Sequence, residues 1–153
     1  MAKVLIRETT LADVAALVAN IREADRREVQ AYGYDALYEP IARSVMGSIL
    51  CWTGEIDGQL AAILGVSPVS VLGGIGSPWM LGTAVLDKHS RVLVRETPRY
   101  IARMQRAFPT LENYVHAENA SSIRWLRRLG FTLHPAQPYG AHGAMFHRFE
   151  KRA

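Results

Sequence analysis

The segment NASSIRWLRRLGF, residues 119–131, decides the fold of this chain. Its polar first residue and the glycine near its end predict a short amphipathic helix that leads into a strand. Asn119 suits the position before the first helical turn, where a side-chain oxygen accepts a free backbone amide. Gly130 suits the left-handed turn that ends a helix, and Phe131 then starts the next strand. Most apolar residues of the helix fall on one face: Ile123, Trp125, Leu126 and Leu129.

This segment resembles the last conserved helix of the GNAT superfamily of N-acetyltransferases. The family pattern is an asparagine, a small residue three positions later, an apolar pair and a Gly-Phe dipeptide. Four parts of the segment match it: Asn119, Ser122, Trp125–Leu126 and Gly130–Phe131. The stretch LENYVHA, residues 111–117, is strand-like and leads into the helix as that family's fifth strand does. The resemblance implies the GNAT acyl-CoA N-acyltransferase fold, of class α/β (α+β), with a mixed central sheet, splayed between its central strands and flanked by helices.

A narrower resemblance adds the stretch PWMLGT, residues 78–83. With it, the block is similar to the internal virion (core) proteins of short-tailed phages, which carry an acetyltransferase-like domain of similar length. The resemblance covers most of residues 51–151. It implies a phage or prophage origin, phage virion proteins as partners, and a place in the cytoplasm of the host cell or in the virion.

Length and composition bound the class of protein. The 153 residues fit a single domain, residues 1–153, and 49% hydrophobic with 21% charged residues is an ordinary globular balance. No apolar run reaches the ~20 residues of a membrane helix, and the first ten residues lack the apolar core of a signal peptide, so we expect a cytoplasmic protein with no membrane partner. Cys51 is the one cysteine, which excludes an intrachain disulfide. The net charge of +4 favours an anionic partner without choosing among coenzyme A, an acidic surface and nucleic acid.

Hydrophobic periodicity and turn signals predict the element order βααβββαβαββ, which is the topology of the resembled family. The second helical region is broken near Gly33, and Asp57–Gly58 is a strong hairpin signal. The predicted elements are a strand over 3–8, a helix from 10 to 21, helix over 25–47, strands over 48–55, 59–66 and 78–86, helix over 87–108, and the strand, helix and two strands of the C-terminal part.

The resemblance implies an acetyl-CoA site at the start of the central helix, where glycines normally let the backbone approach the pyrophosphate. The matching stretch, residues 87–96, contains no glycine. We therefore expect Lys88, Ser90 and Arg91 to hold the anion, Asn119 to position the pantetheine region, and acetyl-CoA to bind weakly or not at all. The run Gly73–Gly76 lies between two strands and predicts a hairpin loop, not a phosphate site.

Groups that move protons are harder to assign. The family often places a tyrosine acid seven residues after the motif asparagine, and this chain has Leu126 there. The remaining acid candidates are Tyr139, Tyr114 and Tyr100. His116 and Glu118, at the end of the fifth strand, are the candidate bases, although a strand histidine bonded to a neighbouring carbonyl is the alternative for His116. Tyr139 and His142 lie in a loop that borders the acceptor site in this fold.

The remaining histidines have no spacing typical of a zinc site, so no metal is assigned. Arginines at 91, 95, 99, 103 and 106 form one stripe of the predicted central helix, opposite its apolar face. A solvated face and a docking surface are both open interpretations, but no stacking aromatics support nucleic acid. Two functions therefore compete: an acyl-CoA-dependent N-acyltransferase acting on an amine acceptor, and a catalytically degenerate virion or assembly protein that keeps the fold.

Overall fold

An eight-stranded mixed sheet runs through the computed structural model, which describes residues 1–153. The strands are β1 (Val4–Glu8), β2 (Leu50–Ile56), β3 (Gln59–Ser70), β4 (Ile75–Gly82), β5 (Thr110–His116), β6 (Thr132–Leu133), β7 (Gln137–Pro138) and β8 (Met145–Arg152). The helices are α1 (Leu11–Asn20), α2 (Glu23–Ala31), α3 (Tyr38–Gly47), α4 (Ala84–Lys88), α5 (Ser90–Ala107) and α6 (Ala120–Arg128), and a 3₁₀ turn spans Ala141–Gly143. None of the helices is both long and apolar enough to cross a bilayer.

Two apolar cores contain residues from the two faces of this sheet. One core joins α5 and α6 to the sheet through residues such as Met104, Leu126 and Leu111. The other joins α1, α2 and α3 to it through residues such as Leu17 and Ile63. Successive strand residues point to opposite faces, which is why neighbouring positions of β3 serve different cores.

The signature helix forms as the sequence predicts. α6 spans Ala120–Arg128, and the Asn119 side chain accepts the backbone N–H of Ser122 at 3.3 Å. Gly130 has φ +89°, the left-handed conformation expected at the helix end. Leu126 is buried against the core of the α5–α6 side. The cap, the stop and the apolar face are therefore confirmed.

The break that the sequence predicts near Gly33 is confirmed: Gly33 has φ +109° and separates α2 from α3, so the interval between β1 and β2 holds three helices. Other predicted elements need correction. The strand predicted over 78–86 ends at Gly82: the Thr83 side chain accepts the N–H of Val85 and starts α4. β3 is longer than predicted, reaching Ser70, and a short β7 is added near the C-terminus. The hairpin loop predicted at Gly73–Gly76 is confirmed for its first two residues: the turn that joins β3 to β4 covers residues 71–74, and Ile75 and Gly76 already belong to β4.

The two central strands separate soon after they meet. β4 and β5 pair in parallel at two positions, Ile75 with Thr110 and Gly76 with Leu111. Beyond them the Asn113 side chain donates to the carbonyl of Pro78 at 2.8 Å. The sheet order is β1-β2-β3-β4-β5-β8-β6, with β7 on β8, so this opening lies in the middle of the sheet.

The helix stop at Gly130 gives a direct test of the signature segment. A Cβ at Gly130 would lie 3.3 Å from Lys151 Nζ, and φ is already +89°. We expect Gly130→Val to lower the free energy of unfolding by more than about 1 kcal/mol, because a branched residue resists positive φ. Chemical denaturation measures the change.

Gly47→Val is the matched control. Gly47 is the last residue of α3, has no positive φ, and a Cβ there meets nothing within 4 Å. Its effect should stay within about 0.5 kcal/mol. Equal unfolding curves for the two variants would contradict the role given to Gly130.

Candidate functional site

One face of α2 fills the edges that β4 and β5 leave open. Asp25 accepts the backbone N–H of Gly82 in β4 at 2.8 Å. Glu28 accepts the N–H of His116 in β5 at 2.7 Å, and the Tyr32 hydroxyl donates to the carbonyl of Tyr114 at 3.1 Å. These three side chains are spaced i, i+3 and i+7 and so share a helix face. The helix thereby supplies the hydrogen bonds that a neighbouring strand would otherwise supply.

Glu28 has an unusual protonation equilibrium. Burial raises its pKa to about 7, and the negative charge of Asp25 acts in the same direction. The N–H of His116 and the side-chain amide of Asn119, 3.5 Å from Glu28 Oε1, oppose the rise because they bond to the ionised form. A carboxyl group that is half ionised near neutral pH can take up a proton and release it again.

Glu28 lines a cleft of about 300 Å³ that runs into the β4–β5 opening. We call it the aromatic cleft, after the rings of Tyr32, Tyr34, Trp79, Tyr114 and Trp125 along its walls. Its other polar lining groups are serines and one asparagine, so Glu28 is its only charged side chain. The cleft therefore presents one carboxyl group among apolar and aromatic surfaces.

A second cleft of about 270 Å³ lies between α6 and the start of α5. We call it the basic cleft, because three arginines line it: Arg22, Arg124 and Arg128. It shares Met80, Ser122 and Trp125 with the aromatic cleft. The two clefts thus meet at the opening between β4 and β5.

Backbone groups of β4 face this meeting point. The carbonyl of Gly82 accepts the N–H of Arg22 at 2.9 Å and its N–H bonds to Asp25, so Gly82 directs both groups away from β3. Alternation along a strand directs the N–H and carbonyl of Met80 to the same side. Pro78 has no N–H, and its carbonyl is taken by Asn113. Met80 is therefore the residue of β4 that directs a backbone donor and acceptor into the opening.

Two further features bear on a pantetheine-linked phosphate ligand. Trp125 Nε1 is buried and has no hydrogen-bond partner, so a donor at the meeting point lacks its acceptor. The residue before α5, His89, makes no side-chain capping bond. The residues around the meeting point thus fit the pantetheine arm of such a ligand. Near the start of α5, where the sequence has no glycine, the groups available to its phosphates are side chains such as Ser90, Arg124 and Arg128.

Asp87 opposes an anion in the basic cleft. Its exposed carboxylate lines the cleft and lies 3.2 Å from the guanidinium of Arg22. Arg22 also pairs with the buried carboxylate of Asp25 at 2.9 Å. The positive charge of Arg22 is therefore shared between two protein carboxylates, which leaves Arg124 and Arg128 as the arginines of the cleft without an ion pair.

Three predicted catalytic residues lie around the aromatic cleft without lining it: His116, Glu118 and Tyr139. The acid candidate Tyr114 does line the cleft. His116 bonds to Glu28 through its backbone N–H, and its ring packs 5.2 Å from that of Phe146. Glu118 is exposed. Tyr139 is 48% exposed and stacks on Tyr114 at 3.7 Å between ring centroids.

Other candidates are dispersed. Tyr100 packs edge-on against Trp52 beneath α5 and lines a different, apolar cavity. His142 is exposed, at φ +56° in the 3₁₀ turn. No group of three or more His, Cys, Asp or Glu side chains is arranged so that it could hold a metal ion.

The predicted cofactor-binding residues divide into three groups. Ser90 lines the basic cleft. Lys88 and Arg91 are exposed beside it and are not lining residues. Asn119 is 2% exposed and is used in capping α6 and contacting Glu28.

Sequence reasoning missed Glu28 and the face of α2 that carries it. The helix sequence EADRREVQA has one aliphatic residue larger than alanine, Val29, so its charges read as a solvated surface. The i, i+3, i+7 spacing of Asp25, Glu28 and Tyr32 places these side chains on one helix face, and this pattern is visible in the sequence. It does not predict a site by itself, because the open strand edges that these side chains reach are known only from the structure.

No protein-family model and no curated protein sequence matches the chain. Solved structures do match it. A ribosomal-protein-alanine N-acetyltransferase from Brucella melitensis is 19% identical with a TM-score of 0.74, covering 97% of this chain and 99% of that one. A GNAT-family acetyltransferase from Streptococcus pneumoniae is 16% identical with a TM-score of 0.70, covering 99% and 100%. The ribosomal-protein acetyltransferase RimL, solved with coenzyme A, is 13% identical with a TM-score of 0.71, covering 97% and 93%. The chain therefore has the fold of the GNAT N-acetyltransferases.

Proposed function

We propose that this protein is an N-acyltransferase that moves an acyl group from acyl-CoA to an amine, with Glu28 as the general base. The observation that carries the proposal is the Glu28 carboxyl group, whose pKa is raised to about 7 at the opening between β4 and β5. There the aromatic cleft meets the basic cleft, so two substrates can approach from two sides. The matching fold of acetyltransferases, one of them solved with coenzyme A, supports acyl-CoA as the donor.

The acyl donor is assigned to the basic cleft. Ser90, Arg124 and Arg128 hold its phosphates, since these side chains line the cleft near the start of α5. Lys88 and Arg91 lie outside the lining and add longer-range attraction. The backbone groups of Met80 bind the amides of the pantetheine arm. Asn119 acts indirectly, by fixing α6 and contacting Glu28.

The reaction needs two proton movements. The ammonium group of the acceptor gives one proton to Glu28 and becomes a neutral amine. Its nitrogen attacks the thioester carbonyl carbon, the C–N bond forms, and the C–S bond breaks. The second nitrogen proton passes to the departing thiolate, and Glu28 releases its proton to water. Because a thiol has a pKa of about 8.5, the thiolate needs no strong acid, which accounts for an apolar Leu126.

Replacement of Glu28 tests the base directly. We expect Glu28→Gln to lower kcat by about 10²- to 10³-fold, the range of a lost general base. In the wild type, kcat/KM should rise as pH increases through about 7, because the ionised form of Glu28 is the active one. Thiol release from acetyl-CoA in the presence of an amine measures both quantities.

Glu118→Gln is the matched control, because it removes an exposed carboxylate that does not line the cleft. It should leave kcat and the pH profile within about twofold of the wild type. A large loss in Glu118→Gln or in His116→Asn, with little loss in Glu28→Gln, would transfer the role of base to the residues that the sequence predicts.

The raised pKa of Glu28 also has a consequence for stability. The folded state keeps its proton up to about pH 7, whereas the ordinary pKa is 4.5. As pH rises from about 4.5 to about 7, the unfolded state ionises first, so this group lowers stability across that window. We expect Glu28→Gln to melt several degrees above the wild type at pH 8, with a smaller difference at pH 4.5. A lower melting temperature at both values would contradict the desolvation of Glu28.

The glycine-free start of α5 should limit affinity for acetyl-CoA. Calorimetry should give a dissociation constant at or above the high-micromolar range, whereas tight binding near 1 μM would correspond to about −8 kcal/mol. Arg128→Ala should weaken binding further, by about tenfold at low salt and by less at high salt. Arg127→Ala, on the same helix but outside the cleft, should have no effect. Tight binding would contradict the weak affinity expected from the glycine-free start of α5. Equal effects of the two variants would contradict the assignment of the phosphates to the basic cleft.

A second candidate is a catalytically degenerate internal virion or assembly protein that keeps the fold. Two observations favour it: residues 87–96 contain no glycine, and the Asp87 carboxylate lies where phosphates would bind. The docking surface of this candidate would be the exposed arginines of α5: Arg91, Arg95, Arg99, Arg103 and Arg106. A folded protein that binds no acetyl-CoA would favour this candidate over the enzyme.

A further inference from the structure

The charge of the aromatic cleft restricts what it can bind. Glu28 is the one charged side chain among its lining residues, and no lysine, arginine, histidine or aspartate lines it. Arg43 stacks over the Tyr34 ring, 5.9 Å from its centroid, but does not line the cleft. A bound molecule therefore meets a single acidic group and no basic one.

The aromatic walls of the cleft are held in place by their neighbours. The indole N–H of Trp79 donates to Ser48 Oγ at 2.9 Å. Tyr114 stacks on Tyr139, and the Tyr32 hydroxyl bonds to the Tyr114 carbonyl. Ring faces attract a cation, and rings also pack against apolar groups. Walls fixed in this way favour a flat or apolar body attached to one ammonium group.

Two common classes of amine do not suit this lining. A free amino acid would bring its carboxylate into a cleft that offers no cation and already holds Glu28. A polyamine would bring a second ammonium group to a cleft with no second acid. In each case a charge would lose water without gaining a partner, which is costly.

We infer that the aromatic cleft takes a primary amine with an aromatic or similarly apolar body, and with neither a carboxylate nor a second positive charge. The inference rests on the proposed acyltransferase function and names the acceptor class for that site. Glu28 pairs with the ammonium group, and the tryptophan and tyrosine rings bind the body. The absence of a basic lining residue sets the selectivity against carboxylates.

Five probes separate the contributions. Phenethylamine has the aromatic body and one amine, phenylalanine adds a carboxylate, and phenylalaninamide keeps that carboxyl group uncharged. Alaninamide lacks the ring, and spermidine adds positive charges. Binding is followed by tryptophan fluorescence, to which Trp79 and Trp125 of the cleft lining contribute, and acyl transfer by thiol release from acetyl-CoA.

Phenethylamine and phenylalaninamide should bind and react with kcat/KM values within about tenfold of each other. Phenylalanine and spermidine should be at least about 100-fold poorer, since each carries an unpartnered charge. Alaninamide should be at least about tenfold poorer, because it leaves the rings uncovered. Phenylalanine or spermidine reacting as well as phenethylamine would overturn the inference while leaving acyl transfer in place.

A gained cation gives a second readout. Tyr34→Arg places a guanidinium at a lining position that is 43% exposed and so accommodates it. The ratio of phenylalanine to phenethylamine binding should rise by about tenfold. Tyr38→Arg is the matched control, being 45% exposed and outside the lining, and should leave the ratio unchanged.

These outcomes distinguish a failure of the proposed acyl transfer from a failure of the inferred selectivity of the aromatic cleft. Selective binding of phenethylamine with no transfer from acetyl-CoA to any probe would sink the proposed enzyme and support the selectivity of the cleft. Transfer to other amines but not to phenethylamine would support the enzyme and overturn the inference. Absence of binding by all five probes would also overturn it.

Discussion

Hydrogen bonds from α2 to the open edges of β4 and β5 are the interactions on which the site depends. The strands stop pairing after Gly76 and Leu111, and their backbone groups then need other partners. Asp25 and Glu28 supply acceptors for Gly82 and His116. An acceptor carried on a helix can be a carboxylate, whereas a neighbouring strand offers only carbonyls. The same bond that completes the sheet therefore brings a titratable group to its centre, where burial raises the pKa of Glu28 to about 7.

In the proposed function, the opening also sets how the two substrates approach each other. A gap in the middle of the sheet connects the aromatic cleft to the basic cleft through Met80, Ser122 and Trp125. In the proposed reaction, an acyl donor in the basic cleft and an amine in the aromatic cleft would meet at these three shared residues, which is the positioning that a bimolecular transfer needs. The basic cleft relies on arginine side chains in place of a glycine loop. Side chains hold phosphate less rigidly than backbone amides, and Asp87 would oppose the anion, so we expect weak affinity for the acyl donor in the proposed function.

The local sequence predicted the elements of the fold better than it predicted the residues of the candidate site. The helix from Ala120, the cap at Asn119 and the stop at Gly130 are properties of adjacent residues, and the sequence predicted them. The prediction that the strand continues to Leu86 was wrong, because the Thr83 side chain accepts the N–H of Val85 and begins a helix that hydrophobic periodicity does not reveal. Glu28 was missed because its partner His116 is 88 residues away, and a charged helix without that partner reads as solvated. His116 was named as a candidate base, yet it enters the site through its backbone N–H.

The titration of the Glu28 carboxyl group is the most direct test of the account. Carbon-13 NMR of the side-chain carboxyl groups, assigned by comparison with Glu28→Gln, follows that group alone as pH changes. We predict a titration midpoint near pH 7. The midpoint should fall when an amine binds, because its ammonium group favours the ionised form of Glu28. A midpoint near the ordinary value of 4.5, unchanged by any amine, would contradict it.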